Sequence, residues 1–143
     1  MTYCNVQDLI DRCGSFAIVQ LSNPDDSQAE GVNEPVVNRA ILDACGEMDG
    51  YIAARYTLPL VETTDQLRTL AIDLALYRLA KLGRLGEVPE GYKDSKDDAI
   101  RFLRDMVKGQ ATLGLNQTVE PTTQTLNVSS APRQFGRGNL GGF

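Results

Sequence analysis

Between Asp65 and Gly83 the chain carries apolar residues on two sides of a helical wheel at once. Leu67, Leu70, Ala71, Leu74 and Tyr77 recur along one face, and Ile72, Leu76 and Leu79 along another. A surface helix needs only one apolar stripe, so a helix of this kind is either central in its domain or buried again by a neighbouring subunit. A chain of 143 residues makes one domain of moderate size, and in such a domain both explanations can hold. Ile72, Leu76 and Leu79 are therefore the candidate subunit-interface residues. Thr63 with Gln66 fits a capping box that opens the helix, and Gly83 closes it.

The surrounding sequence supplies partners for this helix. Asn5 is placed to cap a short helix running through Val6, Leu9 and Ile10 to Gly14. Phe16-Ala17-Ile18-Val19-Gln20-Leu21 has β-branched residues that suit a strand. No partner strand is evident, so a helical turn packed on the body is expected. Asn23 to Gly31 reads as a polar loop. A longer helix should start near Asn33 and tolerate Pro35 in its first turn. It presents Val37, Ile41, Ala44, Met48, Tyr51, Ile52 and Arg55 along one side, and must end by Leu58 because Pro59 follows. Gly83-Arg84-Leu85-Gly86 with Pro89 marks a turn. After it Tyr92, Ala99, Ile100, Leu103, Met106 and Val107 space a last helix that stops at Gly109. Its outer face, from Lys93 to Asp105, mixes charges as a solvated surface does. The expected fold is an all-α bundle of three main helices and one or two short ones, spanning residues 1–109.

From Gln110 onward the composition changes. Residues 110–143 hold Glu120, Arg133 and Arg137 as their only charged side chains, so the net charge of -5 comes from the body. Rich in Thr, Ser, Asn and Gly, this segment has too few hydrophobes to offset the entropy of ordering itself, and an extended tail is expected. At ~3.3 Å per residue it reaches on the order of 110 Å. Arg133, Phe135, Arg137 and Phe143 are its candidate anchors, because arginine and aromatic residues dominate interface energetics.

Composition also disfavours whole classes of function. The chain has no histidine, which removes the usual general base near neutral pH and the commonest metal ligand. Cys4, Cys13 and Cys45 include no C-x-x-C pair and read as reduced, small apolar side chains. Glu47 with Asp49, or Glu87 with Glu90, offers paired carboxylates without any placement that would tune them apart. Gly136-Arg137-Gly138-Asn139-Leu140-Gly141 matches G-x-G-x-x-G letter for letter. It lacks the preceding strand and the following helix that make that motif bind a dinucleotide. Asp94 to Asp98 is not a calcium loop, because Lys96 occupies a ligand position and the required glycine is absent. A sequence pI of about 4.7 argues against phosphate-driven nucleic-acid binding. The expectation is a protein without enzyme activity, cofactor or metal, and without a membrane span or signal peptide.

Several segments resemble the Mu-like phage head-tail connectors, also described as adaptor or head-completion proteins. Tyr3, Asp8-Leu9, Arg12, Gln20-Leu21 and Ala40 to Ala44 carry the early part. The most specific piece is Asp49-Gly50-Tyr51-Ile52-Ala53-Ala54-Arg55-Tyr56-Thr57-Leu58-Pro59-Leu60. Ile72 to Ala75, Tyr77-Arg78-Leu79, Ala99 to Leu103, Gly109 and Leu113-Gly114 continue the match. Cys13 and the Gly-rich tail depart from the simplest family pattern. The resemblance implies a helical subunit made in the host cytoplasm that joins the virion neck. It implies a self-assembled ring, typically of twelve, beneath the portal protein, with a stopper or terminator protein on the tail side. DNA would pass through the lumen without sequence-specific binding, and the C-terminal segment would dock on the portal. Another small neck or tail-completion protein is the nearer alternative, and a small helical DNA-binding regulator the more distant one.

Overall fold

The computed structural model describes residues 1–26, 28–82 and 87–115, and within them every regular element is a helix. In chain order these are α1 (Val6–Cys13), α2 (Ser15–Ser22), α3 (Glu34–Ile52), α4 (Asp65–Leu82) and α5 (Glu90–Val107). Three long helices and two short ones thus form the bundle that the apolar spacing predicts.

Each start and stop has a local cause. Asn5 caps α1 in a full capping box: its side chain accepts from the Asp8 amide at 2.9 Å, and the Asp8 carboxylate accepts from the Asn5 amide at 2.8 Å. Gly14, at φ 84°, ends α1 by donating to the Ile10 carbonyl and turns the chain directly into α2. The ambiguous stretch 16–21 is helical, with Ile18 fully buried. Ser22, also fully buried, donates to the Val19 carbonyl and accepts from the Asn33 amide, so no polar cost is left. Asn23 closes the following loop by donating to the Gly31 carbonyl at 2.8 Å. Helix α3 takes Pro35 in its first turn and stops at Ile52, ahead of the limit set by Pro59.

The cap of α4 is one residue later than the sequence suggests. Thr64, not Thr63, accepts from an amide, that of Leu67, and Gln66 therefore sits one place short of the capping-box position. The Gly83 to Gly86 turn lies outside the described residues.

Helix α4 is the axis of the bundle. It packs against each of the other four helices. Leu67, Leu70, Ala71, Ile72, Leu74, Ala75, Leu76, Leu79 and Ala80 are all buried, leaving only residues near its two ends, Asp65, Gln66, Arg68, Thr69, Lys81 and Leu82, exposed. The packed body also continues past Gly109: Leu113 is buried, while Ala111 and Leu115 are half-buried against the core. Replacing Leu74, 1% exposed, by Ala is expected to cost about 2–5 kcal/mol in urea unfolding. Leu82→Ala, at a side chain 56% exposed, should stay within about 0.5 kcal/mol of the parent.

Candidate functional site

The segment Asp49 to Leu60, the end of α3 and the loop after it, holds both ends of the described chain. At one end Asp49 accepts from the Met1 ammonium at 3.0 Å and from the Tyr3 hydroxyl. Tyr3 is buried, and burial, reinforced by the Asp49 carboxylate, pushes its phenol well above the ordinary tyrosine range. At the other end the Arg55 guanidinium donates to the Met106 carbonyl at 3.2 Å, a second bond beside that from the Gly109 amide, and places a cation at the negative end of α5. Gly109, at φ 82°, lies so close to Arg55 that a Cβ there would sit 2.6 Å from Nη1. The next residue, Tyr56, accepts from the buried Leu113 amide at 3.2 Å. Leu60 is buried beyond the cis Leu58-Pro59 bond. Arg55 and Tyr56 therefore fix the last described residues, up to Leu115, on the body.

A second feature is a groove of about 340 Å³ lined by Arg12, Cys13, Asp73, Leu76, Pro89 and Tyr92, among others. It lies where α1 and α5 both pack on α4 with their backbones apart, linked across the gap by the side chains of Cys13 and Tyr92. Asp73 sits in it half-buried, with Arg12 3.5 Å away. Burial raises the Asp73 carboxyl above its ordinary range, and the Arg12 charge opposes the shift only in part. Tyr92 is raised likewise, by burial first and then by Cys13, to which it is hydrogen-bonded. Glu47 and Glu87, singled out from sequence, have partners elsewhere. Glu47 pairs with Arg78 at 2.6 Å and Glu87 with Lys93 at 3.2 Å. Lys96, in the segment compared with a calcium loop, lies over the Tyr77 ring and pairs with Asp97. Among the described residues no group of three or more Cys, Asp or Glu side chains is placed to hold a metal ion, and no helix is long and apolar enough to cross a membrane.

A family model described as "Bacteriophage Mu, Gp36" matches residues 3–131, which includes the whole of the Asp49 to Leu60 segment. The chain belongs to the bacteriophage Mu Gp36 family. Among its relatives, the "Mu-like prophage FluMu protein gp36" of Haemophilus influenzae is 30% identical, covering 99% of this chain and 97% of that protein. "Gene product J" of Escherichia phage Mu is 25% identical, covering 99% of each.

For this Gp36 family member, the sequence-selected residues fall into two groups. Ile72, Leu76 and Leu79 are 7%, 3% and 0% exposed, covered by the chain's own helices, so the second apolar face of α4 is used inside the subunit. Arg133, Phe135, Arg137 and Phe143 lie outside the described residues, as does the Gly136 to Gly141 motif. The contacts of Arg55 and Tyr56 were missed by periodicity and charge. The only signal for them was their place in the most specific string of the resemblance.

Tyr56→Phe is expected to cost about 1 kcal/mol and to speed amide exchange at Leu113 roughly fivefold, because it removes the acceptor of a buried amide. Exchange unchanged from the parent would show that the contact does not hold the segment. The raised Asp73 carboxyl gives a pH signature. Its stabilising contribution is present below the unfolded carboxyl pKa and is lost as pH rises through the folded value. Asp73→Asn should therefore gain stability relative to the parent as pH is raised from acid to neutral, read as the difference between the two melting temperatures.

Proposed function

We propose that this Gp36 family member is a structural protein of a tailed-phage virion, acting as a head-tail connector. In this reading the helical body forms a ring, twelve being the expected number, beneath the portal protein and extends the DNA channel. The tail side of the ring receives a stopper or terminator protein. The observation that carries the reading is the anchoring of the chain at Met106 by Arg55 and at Leu113 by Tyr56, which holds the last described residues on the body. A connector needs a body that keeps its shape and a long segment that reaches a second protein.

Two further observations support it. The negative charge resides in the body, and an acidic lumen wall repels phosphate and lets DNA slide without sticking. Because Ile72, Leu76 and Leu79 are used internally, apolar contacts around a ring must come from side chains the subunit leaves exposed. Phe16, Leu42, Val61 and Leu82, 77%, 57%, 81% and 56% exposed, are among the side chains available for a heterologous contact that closes by rotation. The segment carrying Arg133, Phe135, Arg137 and Phe143 supplies the docking residues for the portal.

Deleting residues 116–143 is expected to leave the helical circular dichroism and melting temperature close to those of the full chain while abolishing co-sedimentation with the portal protein. Intact association after the deletion would overturn docking by the tail. A map of the assembled neck with this chain outside the ring beneath the portal would overturn the connector reading itself.

A further inference from the structure

The N-terminal segment rests on α3 through a feature that neither the fold nor the proposed assembly uses. Cys45, in the middle of α3, is 1% exposed, and Cys4, in the extended segment before α1, is 5% exposed. The Tyr3 amide donates to Cys45 Sγ at 3.4 Å. The Cys4 amide and the Cys4 thiol are also hydrogen-bonded to that sulfur. Two consecutive amides and a second thiol thus converge on one sulfur atom. Cys13 stands apart, half-buried and hydrogen-bonded to Tyr92 across the groove.

We propose that Cys4 and Cys45 are a redox-active pair that closes to an intramolecular disulfide and fastens the N-terminal segment to α3. The chemistry is unequal between the two sulfurs. The Cys4 hydrogen bond, with help from the two amides, brings Cys45 down to about 6 against the opposing effect of burial, while the same contact and burial push Cys4 far up. Cys45 is thus the nucleophile and Cys4 the resolving thiol that keeps its proton longer.

The oxidant is a small-molecule disulfide such as oxidised glutathione. Cys45 thiolate attacks one of its sulfurs, forming a mixed disulfide and releasing one thiolate. Cys4, giving up its proton, then attacks Cys45 Sγ and expels the second. Two protein thiols and one small disulfide become one protein disulfide and two small thiols, so atoms and electrons balance. Access requires Met1 to Tyr3 to lift while Cys4 stays against Cys45. Their ties to the body include the Met1 and Tyr3 contacts to Asp49 and the Tyr3 amide bond to Cys45, and chain ends open at low free energy. A protein folded in a reducing cytoplasm and later exposed to an oxidising medium would meet both conditions in turn. The inference concerns the chain alone and is separable from the connector reading.

The test uses the full chain incubated with excess oxidised glutathione, then unfolded, alkylated and mapped by mass spectrometry. The expected result is a Cys4–Cys45 cross-linked peptide with Cys13 still free to alkylate, in the parent and in Cys13→Ser alike. Cys4→Ser should stop at a glutathione adduct on Cys45. The oxidised protein should melt ~10 °C higher than the reduced one, and dithiothreitol should reverse the gain. Asp49→Asn, which loosens the N-terminal segment, should speed closure several-fold. The proposal is overturned if neither the parent nor Asp49→Asn forms the cross-link under conditions that oxidise the urea-unfolded chain. A disulfide through Cys13, or a cross-link that lowers the melting temperature, would overturn it equally.

Discussion

Burial of the middle of α4, from Leu70 to Ala80, on every side is the constraint from which the rest of the body follows. Each Leu or Ile taken fully out of water contributes roughly 1.5–3 kcal/mol, and α4 carries Leu67, Leu70, Ile72, Leu74, Leu76 and Leu79 around its circumference. No single neighbour can cover that surface, so four helices surround it. The short helices depend on this arrangement most. At eight residues each, α1 and α2 are below the ~12–15 residues at which an isolated helix begins to hold in water. They persist because Leu9 and Ile18 are fully buried in the core around α4.

The groove and the anchored C-terminal exit are two outcomes of the same packing. Helices α1 and α5 lie on α4 with their backbones apart, joined by the Cys13 and Tyr92 side chains, which leaves the groove where Asp73 and Tyr92 are raised by burial. On another side of the bundle, α5 lies against the end of α3, and the gap between their ends is bridged by polar atoms: Arg55 to Met106, and Tyr56 to Leu113. Both bridges involve buried or half-buried groups, where a lost partner costs more than the bond contributes.

Much of this was legible in the sequence, and the exceptions share a physical reason. Asn5, Gly14, Pro35 and Gly109 act within a few residues of themselves, so their roles as caps and stops can be read locally. The cap of α4 slipped by one place because Thr63 and Thr64 both offer a hydroxyl and only the backbone decides which amide each can reach. The two-faced pattern of α4 could not distinguish burial by its own chain from burial by a neighbour, since periodicity records that a face is covered and not by what. The body's continuation past Gly109 was hidden because composition averages over a window, whereas one side chain, Leu113, carries the packing. Arg55 and Tyr56 reach partners 51 and 57 residues away, a separation at which single-sequence spacing carries no information.

The anchored exit also determines how tension would travel. A pull on the chain beyond Leu115 reaches the Tyr56 hydroxyl and the Arg55 guanidinium before it can peel the last turn of α5. Both residues belong to the segment that continues from α3, so the load passes into the middle of the bundle instead of fraying its final helix. Through Asp49 the same segment also holds the opposite terminus. The body is therefore stressed as a block, and α5 is spared the unzipping to which a terminal helix is ordinarily exposed.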